Sequence, residues 1–360
     1  MLFDLRAKER KEELFGRDEE LLDTQRLIEA GKWVAILGSR MTGKSSLVKT
    51  AGFELSKHGY RFLYVNLLGV RNAEGFVSAL IDAINRSKSL FEKAKDFFSM
   101  VDGVQLGVGG LSLKVSRKPL HTASDIFLAL GLMKENVVIA LDEVQELSSF
   151  SGRLLEILGR VFATYQNISF IFTGSMFGLM RTLLEPSAKS PLYGRPPARI
   201  VLSPFTADAA AEFLHAGFSE LGIETDTTKI GDVLELLDGI PGWLTLYGSK
   251  ACVERLSHEV ALTATGKEAE KIVIAELENF LAGRNKELYL AVMRATTYGA
   301  RWGEIRRSVE ARIGVVNNAR LSAVLKSLRA AMFIEEKEGF YRMIDPIVRG
   351  VVLTSKPFSF

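Results

Sequence analysis

Val34-Ala35-Ile36-Leu37-Gly38-Ser39-Arg40-Met41-Thr42-Gly43-Lys44-Ser45 is the stretch on which the fold turns. Four apolar residues of strand character run into a glycine, four further residues and then Gly-Lys-Ser, and an amphipathic run from Ser45 to Lys57 follows. This is the Walker A pattern in its strand–loop–helix setting. Glycines let successive backbone N–H groups and the helix N-terminus face a phosphate, where their partial positive charge stabilises an anion. Lys44 is then placed to bridge the β- and γ-phosphates, and the Ser45 hydroxyl to ligate Mg²⁺. The expected ligand is ATP or ADP with Mg²⁺, contacted by Gly38, Arg40, Met41, Thr42, Gly43, Lys44, Ser45 and Ser46.

Further apolar runs recur at Phe62-Leu63-Tyr64-Val65, Val137-Val138-Ile139-Ala140-Leu141, Ile168-Ser169-Phe170-Ile171-Phe172 and Ile200-Val201-Leu202. All but the last precede segments of helical period, such as Ala73 to Arg86 and Leu154 to Tyr165. Strands apolar on both faces that alternate with helices predict an α/β fold, a parallel sheet covered on both sides. The run at Val137 ends in Asp142-Glu143, the Walker B position. Asp142 is the expected Mg²⁺ ligand, and Glu143 the base that orients and deprotonates the attacking water. Thr173-Gly174-Ser175 ends the next strand. Thr173 is read as a group that polarises the water or senses the γ-phosphate, while Ser175 serves equally as a helix cap.

Nothing in the composition opposes a globular reading. The chain has 360 residues, 47% hydrophobic and 25% charged, which predicts two or three domains. Its single cysteine, Cys252, closes no intrachain disulfide and makes no zinc site alone. The first residues alternate charge with apolar side chains, unlike a signal peptide, and no apolar stretch approaches the ~20 residues that span a bilayer. A soluble, cytoplasmic protein is expected. The net charge is +3, but Arg284 to Gly350 holds 13 Lys or Arg against 7 Asp or Glu, a surplus of +6 that leaves the rest near −3.

The pattern divides the chain into an ATPase core over residues 1–205, a helical lid over 206–283 and a C-terminal domain over 284–360. A hairpin insertion at about 101–116, around Gly109-Gly110, is read as a surface decoration. Helical stretches at Asp208 to Gly222, Ile230 to Leu237, Pro241 to Leu256 and Lys267 to Gly283 make the lid. Those at Lys286 to Thr296, Trp302 to Val309 and Ala319 to Ala330, followed by a hairpin turning at Gly339, suggest a winged helix.

Six segments in one order resemble the archaeal ATPase family: Phe15-Gly16-Arg17-Asp18-Glu19-Glu20-Leu21, Gly38 to Leu47, Leu141-Asp142-Glu143, Thr173-Gly174-Ser175, Ser190-Pro191-Leu192-Tyr193-Gly194-Arg195 and Gly239-Ile240-Pro241-Gly242. That family belongs to the signal-transduction ATPases with numerous domains, relatives of the AAA+ proteins. The resemblance implies a sheet order 5-1-4-3-2, with the sensor strand between the P-loop and Walker B strands. It implies that Phe15, Gly16 and Arg17 lie near the adenine and that Pro241 closes over the base, while Pro241 also suits the first position of a helix. Arg195 stands where AAA+ relatives carry a finger arginine, catalytic within one chain or across an interface; a plain surface arginine is the alternative. Many relatives carry two arginines and Gly-Lys-Thr in the loop, against Arg40-Met41 and Gly-Lys-Ser here.

Two functions fit these features. One is a slow ATP-hydrolysing switch that reorients the winged helix, with a protein partner and an oligomeric state left open. The alternative is a DNA-binding ATPase like the archaeal replication initiators, using Asn317 to Ser322, Lys337 and Arg342 on DNA. No membrane partner is expected.

Overall fold

A computed structural model of the chain describes residues 1–354 apart from 99–100, 102, 108–109, 114–117, 175–177 and 225. Two compact units result. The first comprises Ala7–Gly38 and Lys44–Leu202, and the second Met1–Arg6, Ser39–Gly43 and Ser203–Phe360.

The first unit contains α1 (Asp18–Glu29), β1 (Val34–Gly38), α2 (Lys44–Lys57), β2 (Arg61–Asn66), α3 (Ala73–Arg86), α4 (Lys88–Phe98), β3 (Val104–Gly107), β4 (Gly110–Leu113), α5 (Pro119–Gly131), β5 (Val137–Asp142), α6 (Ser151–Thr164), β6 (Ile168–Gly174), α7 (Leu179–Leu184) and β7 (Ala198–Leu202). Five of these strands form a parallel sheet in the order β2-β5-β6-β1-β7. As numbered, this differs from the expected 5-1-4-3-2, because β3 and β4 form a separate antiparallel hairpin and take two numbers. Counted among the five parallel strands alone, the succession is the same, with β6 between β1 and β5. The hairpin lies within the predicted insertion, though Gly109 and residues 114–117 fall outside the described residues, as does Ser175.

Alternation along the strands builds a core on each face of the sheet. Ala35, Leu37, Leu63, Val65, Ile139, Leu141, Phe170 and Phe172 are buried with residues of α3, α5 and α6. Val34, Ile36, Val138, Ala140, Ile171 and Ile200 are buried with Leu21 of α1 and Leu47, Val48 and Ala51 of α2. β1, β5 and β6 are buried at every position, as central strands of a doubly covered sheet require.

The second unit contains α8 (Ala207–Ser219), α9 (Thr227–Leu237), α10 (Pro241–Gly248), α11 (His258–Leu281), α12 (Lys286–Ala295), β8 (Ala300–Arg301), α13 (Trp302–Ile313), α14 (Asn318–Ala330), β9 (Ile334–Lys337), β10 (Phe340–Met343) and α15 (Pro346–Thr354). A π-helical turn over Ser249–Val253 ends α10 before the predicted Leu256. β8, β10 and β9 form a three-stranded antiparallel sheet beside α12, α13 and α14. Capping agrees with these boundaries: Thr206, Asp226, Asn285 and Asn317 each accept a backbone N–H at the start of α8, α9, α12 and α14. Phe3 is fully buried in this unit. Its ring lies edge-on to Phe213 and Phe218 and against the backbones of Gly217 and Gly248, where a Cβ would fall 2.3 Å from the ring.

Candidate functional site

In the first unit, the residues of the two Walker motifs meet at the C-terminal ends of β1, β5 and β6. Asp142, 3% exposed, closes β5 and is the centre of a hydroxyl cluster. Ser45 Oγ, in the first turn of α2, donates to Asp142 Oδ2 at 2.7 Å. Thr173 Oγ1 on β6 donates to Asp142 Oδ1, and the Tyr64 hydroxyl on β2 donates to Oδ2. Parallel register explains the convergence, since Asn66 pairs with Asp142 and Leu141 with Phe172, which brings Tyr64 and Thr173 alongside. Burial, then the Asp142 charge, raises the Tyr64 hydroxyl pKa, so the phenol stays a donor.

Ser45 and Asp142 offer two hard oxygen donors. That set suits Mg²⁺, which binds through one or two protein oxygens and keeps the rest of its octahedron for waters and phosphates. No group of three or more His, Cys, Asp or Glu among the described residues offers a competing metal cage.

Glu143 adopts a left-handed backbone (φ 65°, ψ 49°). Its N–H donates to Thr173 Oγ1 at 3.1 Å, and its carboxylate accepts from Gln145 Nε2. Gln145 Oε1 is buried without a hydrogen-bond partner among the described residues. Burial and the neighbouring Glu143 charge raise the pKa of Glu146.

Lys44 is 9% exposed, and its ammonium donates to Gly38 O at 3.0 Å, across the mouth of the loop it closes. Ser46 Oγ accepts from Lys8 N at 3.1 Å, so the segment before α1 runs along the start of α2. Phe15, Gly16 and Arg17 lead into α1; burial lowers the Arg17 pKa, and its guanidinium holds Glu20 at 3.0 Å.

Arg195 is not brought to this cluster. Its guanidinium lies 5.5 Å over the Phe162 ring, which contacts Trp33, the residue before β1. Trp33 accepts from Ala198 N and donates to Ile168 O, at the starts of β7 and β6. Arg195 therefore stands at the N-terminal edge of the sheet, a strand length or about 16 Å from the Walker residues of its own chain.

In the second unit, the loop residues meet the lid. Thr42 Oγ1 donates to Ser39 O at 2.8 Å, and Met41 and Gly43 take positive φ of 63° and 93°. Gly242 N donates to Met41 O at 2.8 Å. A Cβ at Gly242 would fall 2.6 Å from Met41 Cβ, so only glycine permits this approach. Pro241 occupies the first turn of α10. Arg40 lies 4.0 Å from Glu276 of α11. Next to Gly242, the fully buried Trp243 donates its indole N–H to Asp345 Oδ2 at 3.0 Å. Asp345, between β10 and α15, is 5% exposed and also accepts from Ile347 N; burial raises its pKa.

Tyr64, Gln145 and the Trp243–Asp345 pair are absent from the sequence reading. Tyr64 sits in an apolar run and carries no motif letter. Trp243 and Asp345 are 102 residues apart, and their pairing depends on tertiary structure.

Residues 14–246 match the model of an ATPase domain found predominantly in Archaea. The chain belongs to this archaeal ATPase family. The Walker-type ATPase of Pyrococcus abyssi is similar over 98% of this chain and 100% of its own, with 29% identity and a TM-score of 0.77. The ORC2 protein of Aeropyrum pernix, solved as ADPNP and ADP complexes, shares the fold over 98% of this chain and 97% of its own, with 18% identity and a TM-score of 0.62. No curated protein matches. Among the described residues, no helix of the ATPase is long and apolar enough to cross a membrane.

Proposed function

We propose that this ATPase is a slow molecular switch of the signal-transduction type, in which the nucleotide state sets the orientation of a winged helix formed by α12–α14 and β8–β10. The observation that carries this reading is the path in the second unit from Met41 O through Gly242 N and Trp243 to Asp345. A nucleotide that reshapes the loop backbone would move α10 and with it the indole that holds the buried Asp345 carboxylate. The proposed domains remain the core over 1–205, the lid over 206–283 and the winged helix over 284–360.

In the proposed mechanism, Lys44 and the loop N–H groups of Arg40 to Ser46 bind the phosphates, and Pro241 and Phe15 to Arg17 hold the base. Mg²⁺, held by Ser45 and Asp142, would offset charge on the β- and γ-phosphates. Glu143 leaves Gln145 and takes a proton from the attacking water as its oxygen bonds to the γ-phosphorus and the bond to ADP breaks. Thr173 orients Asp142 and the Glu143 backbone. Arg195 can serve only a neighbouring subunit's nucleotide. Hydrogen exchange in α10 and α15, compared between ADP and a non-hydrolysable ATP analogue, tests the switch. Different protection in the two states is expected; identical protection in both helices would sink it.

A second reading, DNA binding, rests on the exposed Arg320 and Lys326 of α14. The hairpin is less suited to it, because Glu335 already pairs with Lys337 at 3.2 Å and Arg342 at 2.7 Å, and Glu336 pairs with Arg329. If DNA is a partner, neutralising Arg320 and Lys326 together lowers the slope of log affinity against log salt by about one to two, since each phosphate contact releases ~0.9 counterions. Absence of duplex binding at low salt in either nucleotide state removes this reading.

A further inference from the structure

We infer that the open edge of β2 is a docking site for an extended acidic segment of a partner protein. Among the described residues β2 ends the sheet, with β5 on one side. Arg61 N donates to Asn136 O and Leu67 N to Asp142 O, so alternate residues from Arg61 face β5. The N–H and C=O groups of Phe62 and Tyr64 therefore point to the open edge, where a further strand can pair with them.

A cavity of about 370 Å³ lies along this edge. It is bounded by Lys49 and Phe53 from α2, by Phe62 and Tyr64 from β2 itself, and by Arg86 at the end of α3. Phe62 and Tyr64 project to the α2 face while Arg86 belongs to the opposite layer, so a cavity touching both must straddle the strand edge. Phe53 is 40% exposed within it. Aromatic walls beside backbone groups that have no strand partner among the described residues suit the side chains of an added strand.

Charge selects the occupant. Lys49, Arg61 and Arg86 give the groove three cations against Glu9. Arg61 meets Glu135 at 3.6 Å, yet its buried Nε–H, a donor, has no hydrogen-bond partner among the described residues. Glu9 shows the accepted chemistry: it comes from the segment preceding α1 and ion-pairs with Lys49 at 2.9 Å. The cations repel a second copy of the same edge, which favours a partner carrying Asp or Glu at alternate positions. Docking there reaches the catalytic cluster, because Lys49 lies 5.1 Å over the Tyr64 ring and the Tyr64 hydroxyl holds Asp142.

The test is fluorescence anisotropy of the full chain with a labelled hexapeptide alternating Glu and Val, beside its Lys-for-Glu counterpart, an alternately N-methylated version and a ten-nucleotide oligo-dT. The Glu–Val peptide is expected to bind, with the Lys peptide silent and N-methylation weakening it at least tenfold, about 1.4 kcal/mol. Arg61→Glu with Arg86→Glu should weaken it to the same extent, while circular dichroism confirms that the variant is folded. No binding of the Glu–Val peptide at about 1 mM, the weak limit of recognition, overturns the proposal. So does equal binding of the N-methylated peptide, indifference to the double substitution, or binding of oligo-dT alone.

Discussion

Trp243→Phe tests whether the lid and the C-terminal elements are joined by a hydrogen bond or only by packing. The substitution keeps a ring at a fully buried position but removes the indole N–H that reaches Asp345 Oδ2 at 3.0 Å. Leaving a buried acceptor without its partner costs about 1–3 kcal/mol, and Asp345, 5% exposed, has little water to turn to. A loss of that order is expected at pH 7.5, beyond whatever the smaller ring costs in packing. A double-mutant cycle with Asp345→Ala, measured by urea denaturation, separates the two. The pH dependence adds a second check. Burial raises the folded-state pKa of Asp345, so its contribution is fully present below the unfolded value and is lost as pH rises through the folded one. Removing the donor raises that pKa further, so the deficit of Trp243→Phe should shrink towards low pH. A coupling energy near zero, with the same deficit at acidic and neutral pH, would refute the latch.

Lys44→Ala should remove most ATP and ADP affinity by calorimetry, and unchanged affinity in a folded variant would exclude the loop as the nucleotide site. Glu143→Gln should retain nucleotide but slow hydrolysis by roughly 10²–10⁴-fold, as expected for loss of a general base; a wild-type rate would move that role elsewhere. Tyr64→Phe should raise the Mg²⁺ needed for half-maximal hydrolysis by about tenfold, the lower range for removing a ligand's supporting hydrogen bond. An unchanged Mg²⁺ titration would show that Tyr64 does not tune Asp142. Arg195→Ala should leave turnover of dilute monomer intact, and a lost rate at every concentration would show that Arg195 acts in its own chain.

β1, β5 and β6 were legible because burial on both faces leaves a continuous apolar run in each, and β1 is followed by an unmistakable glycine loop; the edge strands β2 and β7, only partly buried, showed short apolar runs. Gly266 made α11 harder to read: its start appears at Lys267 in the sequence but at His258 in the structure. Thr265, just before it, turns its hydroxyl back onto Ala261 O within the helix. α1, α4, α5 and α15 were not singled out as helices, and β8 has two residues, too short for a strand period. At the site, Ser45, Asp142, Glu143 and Thr173 were legible as letters at fixed distances from strand ends. Tyr64 was hidden because a phenol in an apolar strand looks like core. The position of Arg195 depends on which end of β7 it precedes, and motif order alone does not set its distance from Asp142.

The burial of Phe3 has a consequence for synthesis. The Phe3 ring packs against Gly248, 245 residues further on, so the segment carrying Phe3 leaves the ribosome long before its pocket exists. At about 5–20 residues per second, the wait is roughly 12–49 s. Throughout that interval the phenyl ring has no pocket, available to chaperones or to a wrong apolar surface. The Ala7–Leu202 part of the chain is complete in the meantime, whereas the second unit cannot seat Phe3 until Gly248 has been added. Vectorial synthesis thus holds this aromatic plug unseated while about 245 further residues are added, and a ribosome pausing between Leu202 and Gly248 would prolong its exposure.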